Sequence, residues 1–219
     1  MTSNPHSRRT ARMAAGARSV AVAVLALVAL PALAQEAPDA LVKRVSQEAL
    51  SIIKSDPRVQ AGDQTHIRDL IESKIAPHFD MDRMTALAAG RAYRQATPEQ
   101  KKRLQDEFKT LLVRTYSGAL SQVNDQTISV KPLRASPEDK DVVVRTEIRG
   151  RGDPIQLDYR LEKTPSDGAG WKIYNLNVLG VWLVETYRSQ FAQEINAKGV
   201  DGLIAALTER NKNNAGKKG

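Results

Sequence analysis

The 219-residue chain contains no cysteine. Disulfides, thiolate catalysis and cysteine-ligated metals are therefore excluded, and packing alone must hold the fold. Histidine is nearly as scarce. Beyond His6 there are only His66 and His78, and the eleven residues between them are no metal-ligand spacing. His66 shares a predicted helix with Asp69 and Glu72, which reads as a solvated face. Asp80 and Asp82 stand at a helix start, where carboxylates serve as cap and dipole partner rather than as metal ligands. Neither the G-x-S-x-G elbow of a serine hydrolase nor the G-x-x-x-x-G-K-[ST] phosphate loop occurs. No catalytic residue and no metal ligand is assigned on this basis. Long apolar runs are also lacking, with a single exception at the N-terminus.

That exception spans residues 20–30 (VAVAVLALVAL). It follows Arg8, Arg9, Arg12 and Arg18 and precedes Pro31 and Ala32-Leu33-Ala34. A basic region, a short apolar core and an A-x-A site, in that order, predict a secretory signal peptide over residues 1–34, cleaved after Ala34. Eleven apolar residues fall short of the ~20 that a spanning helix needs. The chain's formal charge is +8, but four arginines lie in that segment and Arg210, Lys212, Lys217 and Lys218 lie in the tail. Residues 35–209 carry 25 basic and 25 acidic side chains. A neutral, well-mixed body excludes nucleic acid as the partner. The reading is one domain over residues 35–210 and a disordered tail over residues 211–219, which has no apolar anchor.

The first half of the body has helical periodicity. Leu41, Val45, Ala49, Ile52 and Ile53 recur at helical spacing up to Asp56-Pro57, and Ile67, Leu70, Ile71 and Ile75 do so up to Pro77. Asp80 is placed to cap a short helix ending at Gly90. Thr97-Pro98-Glu99-Gln100 combines a capping box with proline at the first helical position. The helix it opens carries Leu104, Phe108, Leu111, Leu112, Thr115, Tyr116 and Leu120 on one face. After Asp125 the period becomes two. Ile128 and Val130 mark a first strand, and Val142, Val143, Val144, Thr146 and Ile148 a second. Ile155, Leu157, Tyr159 and Leu161 alternate with polar residues in a third, and residues 171–178 form a fourth. Loops at 150–154 and 166–170 join strands two to three and three to four. Residues 181–191 and 200–210 are helical again. The fold class is α+β, a four-stranded antiparallel meander with helices before and after it.

Several segments together resemble one bacterial family. They are Ala96-Thr97-Pro98-Glu99-Gln100, then Phe108 and Leu111-Leu112-Val113-Arg114-Thr115-Tyr116, and Trp171-Lys172-Ile173-Tyr174-Asn175-Leu176. With them come Gly180, Leu183-Val184, Tyr187-Arg188-Ser189-Gln190-Phe191 and Asp201-Gly202-Leu203-Ile204. The family is MlaC, the phospholipid-binding proteins of the Mla lipid-transport system, also called the toluene-tolerance family. The resemblance covers nearly all of residues 35–210. It implies a periplasmic, non-enzymatic carrier on a curved sheet with a cystatin/NTF2-like pocket, and no cofactor other than phospholipid cargo. It also implies two partners: an inner-membrane ABC-transporter lipid-transfer complex and an outer-membrane lipoprotein–porin complex.

On that basis acyl chains are expected against Leu112, Tyr116, Val144, Ile155, Leu157, Tyr159, Leu161, Tyr174 and Leu176. Arg91 and Arg94 are expected to meet the headgroup or to dock partners. Two departures stand out. The family usually has Tyr-Trp before the arginine that Arg94 matches, whereas this chain has Ala92-Tyr93. It also has a small polar residue where Trp182 stands, and an indole facing the cavity would reshape the pocket. Read from alternation alone, the strand residues fit a filled core equally well. Two other functions then stay open: a ligand-free periplasmic adaptor, and a small-molecule enzyme on a cystatin-like fold marked by a buried carboxylate paired with a tyrosine.

Overall fold

Proline and aspartate punctuate the helical half at the expected places. The computed structural model describes residues 36–215 apart from 121, 122, 124, 137, 151, 166 and 168. The expected signal segment, residues 216–219 of the tail and the side chain of Leu120 lie outside the described residues. Helix α1 (Pro38–Ser55) ends at Asp56, whose carboxylate accepts from the Arg58 and Val59 amides and so starts α2 (Pro57–Gln60). Asp63 caps α3 (Gln64–Leu70) in the same way. The helical path then loosens into a π turn (Ile71–Ile75) and a 3-10 turn (Ala76–His78) against Pro77. His66 is not merely a solvated side chain: its Nε2 lies 2.6 Å from Asp56 Oδ2, tying α3 back to the cap of α2.

Asp80 caps α4 (Met81–Ala89), accepting from the Arg83 amide at 2.7 Å. After Gly90 comes α5 (Arg91–Gln95). The long helix α6 (Pro98–Leu120) opens on the expected capping box. The Gln100 amide donates to Thr97 Oγ1 at 3.2 Å, and the Thr97 amide donates to Gln100 Oε1 at 3.0 Å.

The sheet is an antiparallel meander in the order β1 (Thr127–Val130), β2 (Asp141–Arg149), β3 (Ile155–Lys163), β4 (Trp171–Val178) and β5 (Val181–Trp182). It has five strands rather than four, because Val181 and Trp182 pair with Val178 and Asn177 instead of opening the last helix. Leu179 and Gly180, both with positive φ (52° and 88°), make the turn between them. A two-residue hairpin turn of this kind matches the strand twist and favours Asn-Gly. Leucine there is strained, and its side chain is 65% exposed, so it recovers little by burial. Leu179→Asn is expected to raise stability by about 0.5–1 kcal/mol, read as an increased urea midpoint at unchanged slope.

The final helix α7 (Leu183–Ala215) runs through a break at Gly199 (φ 69°). It extends past residue 210, where the sequence reading placed the start of disorder. Asn211 is buried, and its amide donates to the Glu107 carbonyl at 2.9 Å and to Glu107 Oε2 at 2.7 Å. Thr208 donates to the same carboxylate. A polar anchor on α6 thus does what the missing apolar one would have done. The main core lies between α4, α6 and α7, where Phe108 packs edge-on against Tyr187 and Phe191. None of the described helices is long and apolar enough to cross a membrane.

Candidate functional site

Strand alternation turns Val142, Val144, Thr146 and Ile148 of β2 to the same face as Leu161, Tyr159, Leu157 and Ile155 of β3. What covers this face changes along its length. At one end Leu41 of α1 packs over Val142, Val144 and Leu161, and Val42, Val45 and Ile173 pack with them while bordering the open end. At the other end α1, α3 and α6 stand off. A cavity of about 610 Å³ opens there, within the ~300–1,000 Å³ of small-molecule sites.

Its floor is Ile148, Ile155, Leu157, Tyr159, Leu176 and Val178. One wall is Ala49, Ile52 and Ile53 of α1, and another is Ile67, Leu70, Ile71 and Ile75 of the α3 segment. The third is a single stripe of α6: Lys109, Leu112, Val113, Tyr116 and Ser117. Lys109 apart, none of the described lining residues is charged. Ile155 and Tyr116 are more than one-third exposed and stand at its rim.

Polar groups at the cavity wall are satisfied or neutral. Tyr159 Oη lies 3.2 Å from Ser46 Oγ in the interior. Burial pushes the Tyr159 phenol up to about 12, against the opposing pull of its bonds to Ser46 and Thr146, so it stays uncharged. Burial also raises the pKa of Tyr116, with a smaller contribution from Tyr187. The Ser117 hydroxyl donates to Gln64 Oε1 at 2.6 Å, fastening the start of α3 to α6. Among the described residues no carboxylate lines the cavity. Among the described residues no cluster of three or more His, Asp or Glu side chains is arranged to hold a metal.

Of the nine residues expected against acyl chains, Leu112, Tyr116, Ile155, Leu157, Tyr159 and Leu176 line the cavity. Val144 and Leu161 do not. They share the inner face but lie under α1 in the packed end of the sheet, at 1% and 0% exposure. Tyr174 leaves that face altogether. A bulge pairs Leu161 with Ile173 and Arg160 with Asn175, so Tyr174 has no partner on β3. Its ring packs in the α4–α7 core beneath the Arg83 guanidinium, 3.8 Å from the centroid, and its hydroxyl donates to Asp141 Oδ1 at 2.7 Å.

Arg91 and Arg94 are not among the lining residues either. They are exposed on α5, which packs on α4 and α7, while the Tyr93 between them is buried and donates to Asp82. Trp182 does not reshape the cavity. Opposite Asn177, it stands on the outer face of the sheet, with the Arg160 guanidinium 4.0 Å above its ring. Ile52, Ile53, Ile67, Leu70, Ile71 and Ile75 were legible as apolar stripes, though not as cavity wall. Lys109 was not singled out in the sequence, where it is one charge among many on α6.

Known proteins share this architecture and sequence. A phospholipid-binding protein from Ralstonia solanacearum, solved in complex with a phospholipid, is 47% identical. It superposes with a TM-score of 0.77 over 81% of this chain and 98% of its own. The toluene tolerance protein Ttg2D of Pseudomonas putida is 28% identical over 180 residues, covering 81% of this chain and 82% of its own. The intermembrane phospholipid transport system binding protein MlaC of Haemophilus influenzae is 22% identical over 185 residues, 84% and 86% of the two chains. A sequence model of the MlaC protein family matches residues 43–209, most of the chain and every wall of the cavity bar Val42, and this protein belongs to the MlaC family.

Proposed function

We propose that this protein is a periplasmic carrier that holds a glycerophospholipid by its acyl chains and shuttles it between the outer and inner membranes. The observation that carries this reading is the cavity. It is a space of about 610 Å³ bounded by apolar side chains on a sheet and three helices, in a chain 47% identical to a protein solved with phospholipid bound. A ligand-free adaptor would fill that space with side chains, since interiors pack to the density of organic crystals.

Energetics assign the direction of transport to other proteins. Each methylene taken from water gains ~0.8 kcal/mol, so two chains of roughly 15 buried carbons gain about 24 kcal/mol. A bilayer offers nearly the same, which leaves exchange between membrane and carrier close to balance. The partners are then an inner-membrane ABC-transporter complex and an outer-membrane lipoprotein–porin complex, as the MlaC family membership suggests. Arg91 and Arg94, exposed on α5 and away from the cavity wall, suit docking to one of these rather than headgroup contact. Export follows from the signal segment, with the mature chain starting at Gln35.

Native mass spectrometry of the protein purified from the periplasm tests both halves of the proposal. The expected spectrum has a mass beginning at Gln35 and a co-purified phospholipid adduct that collisional activation removes. A lipid-free protein that takes up nothing from phospholipid vesicles would refute the carrier reading. An intact N-terminus would refute the processing.

A further inference from the structure

Among the described residues, one cation faces an otherwise uncharged cavity. Lys109 lies on the α6 stripe with Leu112, Val113 and Tyr116, at positions i, i+3, i+4 and i+7, and among the described residues it is the only charged one lining the space. A lysine in such a stripe lays its methylenes along the apolar wall and carries its ammonium to the edge. Here the ammonium lies 2.9 Å from Glu72 Oε2, which comes from the π turn after α3. The lysine side chain is 26% exposed and the glutamate 41%, so the pair sits in water at the rim. Exposed pairs of this kind are weakly held. A stronger or tethered anion can displace the carboxylate.

A seated glycerophospholipid supplies such an anion. With its chains on the apolar walls, its phosphodiester comes to the rim, and the tether gives that phosphate a high local concentration. Lysine is a point-charge partner for phosphate. We propose that Lys109 is the phosphate-binding residue of the cavity, where the phosphodiester of the cargo takes the place of Glu72 beside the ammonium. The proposal rests on the carrier reading. It adds that phosphate, and not only chain burial, selects the cargo.

The two partners of the ion pair make the test. Lipid-free wild-type, Lys109→Met and Glu72→Gln proteins are incubated with vesicles of dioleoylphosphatidylglycerol containing dioleoylglycerol, which has the same chains without the phosphate. Native mass spectrometry reads the ratio of phospholipid-bound to diacylglycerol-bound protein. Lys109→Met is expected to lower the ratio roughly tenfold, as loss of a charge-assisted contact would. Glu72→Gln is expected to raise it, because the ammonium no longer has a competitor. Were the pair only a clasp between α3 and α6, both variants would break the same bond. The ratio would then move the same way in both or in neither, and either result overturns the proposal. Titration of lipid-free protein with inorganic phosphate should show no Lys109-dependent binding, and such binding would point to a free-phosphate site instead. A wild-type protein that takes up neither lipid would sink the carrier reading as well, an outcome distinct from those that concern Lys109 alone.

Discussion

Leu157→Asp is expected to empty the cavity while leaving the protein folded, whereas Leu161→Asp, four residues along the same strand and on the same face, is expected to unfold it. Leu157 is part of the cavity floor and retains some access to solvent. A carboxylate there can keep water in the lipid-free protein at little cost. When acyl chains arrive it must lose that water or take up a proton, and an effective penalty of about 3 kcal/mol corresponds to roughly 100-fold weaker retention. Leu161 has no such outlet. It is fully buried against Leu41, Val42 and Val45 of α1 and Ile173 of β4. A charge at that point costs ~3–5 kcal/mol or more, a large part of the ~5–15 kcal/mol that domains possess. Bound phospholipid by native mass spectrometry, measured beside thermal unfolding, separates the two variants. If Leu157→Asp keeps a full lipid load, this face does not hold the chains.

That contrast also marks how far the sequence could be read. Period-two alternation correctly turned Leu157, Tyr159 and Leu161 to one side, because a strand's side chains alternate whatever lies above them. Alternation carries no information on what covers the face. Whether α1 packs on a residue or stands clear of it depends on the angle of a helix more than a hundred residues earlier. Local signals with a local cause were legible in full: the Thr97–Gln100 capping box, the Asp80 cap and the Asp56-Pro57 break each appear as expected. Features that depend on tertiary pairing were not. The bulge that removes Tyr174 from the inner face follows from the register of β3 with β4, and the two-residue β5 is too short to show a period. The order of residues 211–215 depends on Glu107, a partner 104 positions away from Asn211. Lys109 reads in sequence as one more charge on a solvated helix. Only the cavity beside it changes its meaning.

Phe108→Ala is expected to have the largest effect on stability of any single truncation in the α6–α7 contact, and to weaken lipid retention without touching the cavity. The Phe108 ring is fully buried, with edge-on neighbours Tyr187 at 5.0 Å and Phe191 at 5.1 Å between centroids. Truncation removes the transfer energy of the ring, the aromatic contacts and the close packing around it, together about 3–5 kcal/mol. For a domain of this size each kcal/mol lowers the midpoint by ~2–4 °C, so a fall of roughly 6–20 °C is expected. Phe108 sits between Glu107, which anchors Asn211 and Thr208 of α7, and Lys109, which faces the cavity. One face of α6 therefore fastens the helix to α7 while the next forms the cavity wall. If the wall is rigid because its other side is packed, the loosened variant loses lipid faster than wild type at a temperature where both are folded. Bound lipid should then raise the midpoint of the variant less than that of wild type and so widen the gap between them, since a ligand stabilises by its affinity for the folded state. Equal lipid off-rates in the two proteins, measured by transfer to acceptor vesicles, would show that the cavity wall does not depend on the aromatic cluster behind it.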